Sequence, residues 1–261
     1  MIANDIISQI GTMFPMFAVY LTAGFIVFAR IMGFIRFAPV LNRKEIPGLI
    51  KISLALLLTI GYISMAQPAK PPSDNSFVLS LVLNYVAGAL IGYIAQVILL
   101  AIDAGADMIN MQMGLSSAMV LEPTMGSQTS ILAKLISLMG ICIFMEIGGM
   151  YWLFNAFIRG FEVFPIYATT IPLDQIVNLD YLIKMTSNVL YMGLQIASPV
   201  LLATLGQDII LGVISKTAPQ VNVFQLSFLF KPVFGAAIMI WILPMLINVI
   251  TDYYQSYANI F

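Results

Sequence analysis

Apolar residues in this chain fall in long blocks rather than alternating with polar ones. The blocks run from about Phe14 to Phe28, Leu49 to Met65, Phe77 to Ile102, Leu135 to Ile158, Tyr181 to Ile214 and Val223 to Ile250. Blocks of this length predict helices that cross a membrane, because about 20 apolar helical residues span a hydrocarbon core of ~30 Å. The first block is expected to end near Arg30, the second opens beside Lys51, and the third is free of charge between Asp74 and Asp103. The fifth is too long for one straight span, since as a helix it would rise about 51 Å. Pro199 is expected to bend it. The sixth contains Lys231, Pro232 and Pro244. Between the third and fourth blocks, residues 103–134 are apolar but interrupted by Gly105, Gly114, Pro123 and Gly126. Irregular backbone at membrane depth is tolerated only inside protein or against a water-filled cavity, so this stretch is a candidate re-entrant or pore-facing loop.

Composition removes the alternatives to a membrane protein. Of 261 residues, 61% are hydrophobic and 9% charged, and the mean hydropathy is +0.98. Soluble domains run near 25% charged, so a free-standing soluble enzyme is excluded, and an all-α polytopic membrane protein of roughly five to seven spans remains. Charge placement predicts its orientation. Arg30, Arg36, Arg43, Lys44 and Lys51, five of the eleven basic residues, fall around one connection, which is therefore predicted to be cytoplasmic. Both termini, the Pro68–Asn75 turn and the Gly160–Asp180 connection are then outside, and Lys216 to Asn222 is cytoplasmic. The outer connections are neutral to acidic, as this requires, whereas residues 103–134 should also be cytoplasmic and yet are acidic, with Asp103, Asp107 and Glu122 against Lys134. Residues Met1 to Gly11 hold Asp5 and no Lys or Arg, so the first segment reads as retained rather than as a cleaved signal peptide.

The residue inventory removes chemistries as well. There is no histidine and one cysteine, Cys142, which excludes His-based triads, His/Cys zinc sites and cysteine-ligated clusters. Cys142 reads as a buried small hydrophobe. A net charge of −1 gives no footprint for nucleic acid. No phosphate-binding loop or nucleophile-elbow string occurs, and no enzymatic activity, cofactor or metal is expected.

Four constellations remain. Met108, Met111, Met113, Met119 and Met125 crowd one stretch; they suit an adaptable seal, or are ordinary apolar filling. Glu146, Lys184, Asp208 and Lys231 are charges inside apolar blocks, and each must face protein or water. They could line a transport pathway or pair with one another, and a turn near Ala218–Val221 would bring Asp208 and Lys231 to similar depth. Gly88, Gly92 and Ala95, with Gly148, Gly149 and Ala156 and with Gly235, Ala236 and Ala237, offer close helix packing. Asp103 and Asp107, four apart, share one helical face, at a solvated helix end or an aqueous lumen.

The order of the strings adds a resemblance. Ala29-Arg30-Ile31-Met32-Gly33 is followed by Pro39 and Ile46-Pro47. Ala104-Gly105 is followed by Gln112-Met113-Gly114-Leu115 and Glu122-Pro123. Gly148-Gly149, Ser198-Pro199-Val200 and Ala218-Pro219-Gln220-Val221-Asn222-Val223-Phe224 come next, and then Lys231. This resembles the FliR family, the R subunits of flagellar type III export gates, and their virulence counterparts, over nearly the whole chain. Two departures are Glu122, where the family usually has Asp, and Met150, where it often has His.

The resemblance implies helical hairpins, a P-like portion over residues 1–186 and a Q-like hairpin over 187–261, assembling with FliP-like and FliQ-like subunits into a cone-shaped gate in the bacterial inner membrane at the flagellar basal body. It implies a plug loop at about 114–134 with a methionine gasket, carried here by Gln112, Met113, Gly114, Leu115, Met119, Glu122, Pro123, Met125 and Gly126. Asp103, Asp107, Glu146, Asp208 and Lys231 become inter-subunit or lumen charges. The cytoplasmic turn, with Pro219, Gln220, Asn222 and Phe224, would face the FlhB-like switch subunit, an FlhA-like subunit is a further partner, and the outer end would meet rod or adaptor proteins and exported unfolded chains. Helices of such a gate are drawn largely out of the bilayer plane, so apolar faces would bury on partner subunits.

Overall fold

A computed structural model describes residues 15–65, 76–114, 131–168 and 179–257, and these are helical with short connections. The helices are α1 (Pro15–Phe37), α2 (Gly48–Met65), α3 (Phe77–Gln112), α4 (Ile131–Glu146), α5 (Gly149–Val163), α6 (Leu179–Thr217) and α7 (Val223–Tyr257). Five of them (α1, α2, α3, α6 and α7) are long and apolar enough to cross a membrane, and the broken pair α4–α5 makes a sixth if counted as one span. The expectation of an all-α chain with five to seven spans holds.

Three boundaries differ from the sequence reading, each for a physical reason. α1 does not end near Arg30 but continues to Phe37, because the guanidinium finds partners inside the fold. Arg30 therefore leaves the basic connection, Arg36 lies in the last turn of α1 and Lys51 lies within α2. α3 runs ten residues beyond Ile102, through Asp103 and Asp107 to Gln112, so the interruption expected from residue 103 begins only after Met113. The single fourth block is two helices, since Gly148 takes φ +81°, a left-handed conformation that only glycine adopts cheaply, and this ends α4. Pro199, Pro232 and Pro244 all lie within helices.

The chain divides into two compact units. The first holds α1, α2, α3 as far as Gln96, and α5 from Met150. Its core is Val27, Ile31, Phe34 and Ile35 of α1 with Ala55, Ala95, Leu153, Phe157 and Phe161. Phe34 and Phe157 lie 4.5 Å apart, and the rings of Tyr62 and Phe161 stack at 4.1 Å. α1 and α3 touch backbone to backbone. A Cβ on Gly33 would overlap the Tyr85 carbonyl, one on Gly88 the Arg30 carbonyl, and one on Gly92 would crowd the Phe34 carbonyl and the Ala38 nitrogen. The G-x-x-x-G pair thus serves packing within this chain.

The second unit holds α3 from Val97, α4, α6 and α7. Gly105 of α3 meets Gly193 of α6, and Gly140 of α4 accommodates Ile102 and the Tyr254 hydroxyl. That hydroxyl donates to the Gly140 carbonyl at 3.0 Å, and the Phe144 and Tyr254 rings meet edge to face at 5.4 Å. Cys142, expected to be buried, is exposed. It sits two residues past Gly140, about 200° around the helix, on the face turned away from that contact.

Candidate functional site

In the second unit, the ion pair anticipated for the α6–α7 hairpin is present. Lys231 Nζ lies 2.7 Å from Asp208 Oδ1 and 3.0 Å from Oδ2. Asn222 builds the turn that sets this depth: its side-chain oxygen accepts from the Gln225 amide at 3.3 Å, capping the first turn of α7. Val221 N donates to Ala218 O at 3.0 Å, closing the turn around Pro219 and Gln220, which are exposed. Phe224 is exposed and packs edge to face on Phe228 at 4.7 Å. One residue before Asp208, Gln207 is buried, and its amide has no hydrogen-bond partner among the described residues. Sequence reasoning passed over it because it carries no charge.

The α3 end of this unit holds the start of the methionine stretch. Met113 is 1% exposed and fills the notch at Gly235, where a Cβ would meet its Cγ, Cε and Sδ. Met111 is 70% exposed, and Asp107 is also exposed four residues earlier, so one outward stripe pairs a carboxylate with a thioether. Asp103 is half-buried on the same stripe, and Gln112 is the last residue of α3. Gly114 takes φ +72°, turning the chain out of the helix. Leu115, Met119, Glu122, Pro123, Met125 and Gly126 lie outside the described residues. Glu146 is exposed at the C-terminal end of α4, and Lys184 is exposed near the start of α6. Neither is brought to the Asp208–Lys231 pair.

The first unit contains a polar junction that the sequence reading did not identify. Arg30 is 0% exposed. Its Nε and Nη2 donate to Asn84 Oδ1 at 2.9 and 2.5 Å, Nη2 also donates to Phe164 O at 2.7 Å, and Nη1 donates to Gly160 O at 3.2 Å. The guanidinium lies 4.2 Å from the Phe161 ring centre and 5.1 Å from that of Phe164. Asn84 Nδ2 donates to Ser80 O at 2.7 Å and Ile166 O at 2.9 Å. The carbonyls of Gly160 and Phe164 lie at the C-terminal end of α5, where helical carbonyls lack intrahelical donors and the macrodipole is negative. α5 has no basic residue in its own last turn, and Arg30 of α1 supplies the cap. Nearby, burial pushes the Tyr167 phenol above its ordinary range, and the Thr22 hydroxyl works against that shift. Among the described residues, no group of three or more acidic or cysteine side chains is placed to hold a metal.

Comparison with known proteins gives a family and several relatives. The family described as "Bacterial export proteins, family 1" matches residues 21–257. The chain is 27% identical to the "Flagellar biosynthetic protein FliR" of Escherichia coli over 219 residues, covering 83% of this chain and 82% of that protein. It is 26% identical to the FliR of Bacillus subtilis over 217 residues, 79% and 80% of the two chains. It is also 25% identical to the "Surface presentation of antigens protein SpaR" of Salmonella typhimurium over 217 residues, 83% and 80% of the two chains.

Proposed function

This chain belongs to the bacterial export proteins, family 1, and from that premise we propose that it is a core subunit of the flagellar type III protein export gate. The observation that carries the reading is the family match over residues 21–257, joined by flagellar relatives aligned over about four-fifths of both chains. In this role the chain supplies architecture and a seal rather than catalysis. It is a membrane protein, placed by this reading in the bacterial inner membrane within the basal body, with FliP-like and FliQ-like subunits around it and FlhB-like and FlhA-like subunits on the cytoplasmic side. The P-like portion is residues 1–186 and the Q-like hairpin 187–261.

Within the gate, the loop at about 114–134 is the plug. Met113 anchors its near end, because a buried thioether wedged into the Gly235 notch gives the loop a fixed root. Met111, turned outward, is free to pack against another subunit or passing cargo. Asp103 and Asp107 keep that stripe wettable. The Asp208–Lys231 pair holds the two arms of the hairpin in register, so that its cytoplasmic turn at Pro219, Gln220 and Asn222 is presented as a fixed shape.

The test is co-purification in mild detergent with FliP-like and FliQ-like membrane proteins of the same organism. A single assembly of fixed stoichiometry, measured by mass, supports the gate. Solute flux by this chain alone in vesicles would instead make it a small secondary transporter. A second reading, the equivalent subunit of a virulence secretion system, is favoured by the 25% identity to SpaR. Flagellar hook–basal-body genes beside this one would decide for the flagellum.

A further inference from the structure

The first unit leaves one helix nearly uncovered. Of its most apolar stretch, α2 buries 11% within the chain, and Leu49, Ile50, Ile52, Leu56, Leu57 and Ile60 all stand exposed. Its 18 residues rise about 27 Å, close to one hydrocarbon core. The connection before it, residues 38–47, is ordered by its own backbone bonds, Asn42 N to Ala38 O at 3.0 Å and Ile46 N to Arg43 O at 3.3 Å. Around this connection stand Arg36, Arg43, Lys44 and Lys51 against the single carboxylate Glu45.

Three of these cations are tied to the connection. Lys51 belongs to α2, but its Nζ reaches back to donate to the Arg43 carbonyl at 3.0 Å, so its aliphatic stem lies along the helix and its charge joins the loop. Arg36 donates to Asn42 Oδ1 at 2.9 Å, and Arg43 pairs with the exposed Glu45 at 3.3 Å. Four cations less one carboxylate leave a net +3 directly above an uncovered apolar helix.

We propose that this surface binds anionic phospholipid, with the headgroup phosphate against Lys44, Lys51 and Arg43 and the acyl chains along α2. One molecule carrying a phosphate and two hydrocarbon tails meets both halves of the surface. An acidic peptide would answer the charge and leave α2 bare, and a zwitterionic lipid would cover α2 and leave the charge unanswered. Basic residues beside a span also define the cytoplasmic leaflet, where anionic lipid attracts them. The inference does not rest on the export activity, but it requires that the partner subunits of such a gate leave α2 open to lipid.

The test uses the full chain in mild detergent, titrated with phosphatidylglycerol or phosphatidylcholine, with bound lipids counted by native mass spectrometry. Phosphatidylglycerol is expected to bind more tightly and to weaken with added salt. Neutralising a cation should weaken it by about fivefold each, or roughly a hundredfold for Arg43→Gln/Lys44→Gln/Lys51→Gln, with phosphatidylcholine unchanged. Lys44→Glu alters one exposed side chain only and should lose at least that single step even if the triple variant does not fold, whereas Lys216→Gln, in the other cytoplasmic turn, should have no effect. Equal binding of the two lipids, wild-type binding by Lys44→Glu, or displacement by free inorganic phosphate at matched concentration would each overturn the proposal. A spin label on Leu56→Cys, with Cys142→Ser, is expected to be open to oxygen and closed to a water-soluble relaxant in membranes holding the partner subunits. Closure to both would mean that protein covers α2 and would also overturn it.

Discussion

Replacing Arg30 with Met tests whether a buried cation that has no ion-pair partner among the described residues is what holds α1, α3 and α5 together. Methionine keeps the volume and removes every donor. The Gly160 carbonyl keeps a partner, because Phe164 N donates to it at 3.0 Å. The Phe164 carbonyl and Asn84 Oδ1 lose theirs, and Asn84 loses two bonds at once. Each buried acceptor left unsatisfied costs about 1–3 kcal/mol, and the two aromatic faces contribute about 1 kcal/mol more. Removing a desolvated charge works in the opposite direction. The expected net loss is about 2–4 kcal/mol, or a fall in Tm of about 4–16 °C for a chain of this size. The assay is thermal unfolding of the purified chain in mild detergent, with wild type alongside. Arg30→Lys should fall between the two, since one ammonium cannot reproduce the planar fork on Asn84 and Phe164. Asn84→Leu breaks the same contact, so Arg30→Met/Asn84→Leu should cost about 1–2 kcal/mol less than the sum of the singles. A melting point for Arg30→Met within about 1 °C of wild type, or strict additivity, would refute the reasoning.

Gly88→Ala should destabilise because its Cβ meets the Arg30 carbonyl, while Gly61→Ala, in open space on α2, should be neutral or stabilising by about 0.5–1 kcal/mol; unfolding of the two variants side by side separates close approach from helix propensity. Lys231→Met should lower export of a reporter substrate more than the exchanged pair Asp208→Lys/Lys231→Asp does, and equal defects would show that the charges act separately. Deleting about Gly114–Gly126 should make the closed gate leak ions or small molecules, and unchanged conductance in planar bilayers would remove the plug role from this loop. Asn222→Ala should lose about 1 kcal/mol as the α7 cap is removed, read in the same melting assay.

The helices were legible wherever a boundary depends on a local signal. α2 was expected over Leu49 to Met65 and runs Gly48–Met65, and the starts of α3 and α7 were placed correctly at Phe77 and Val223. The Asp208–Lys231 pair could be anticipated because a hairpin makes sequence distance a measure of depth. What the pattern missed depends on tertiary partners. A charge in an apolar run reads as the end of a span, yet α1 passes through Arg30 because its partners lie on α3 and beyond α5. The signal in the sequence is Asn84, an uncharged polar residue in the middle of an apolar segment. Likewise Gly148-Gly149 has the composition of a packing notch, whereas the φ of Gly148 makes it a break. The residues of the gate itself are less legible still, since what they touch in the assembled gate is contributed by other chains.

The Arg30 junction also bears on how the chain is made. Its partners Gly160 and Phe164 lie 130 and 134 residues downstream. At about 5–20 residues per second of synthesis, α1 exists for roughly 7–27 seconds before the carbonyls that receive its guanidinium have been translated. Among the described residues, Asn84 is the hydrogen-bond partner available to it until then. The Arg30 junction is therefore completed only when α5 and Phe164 have been made.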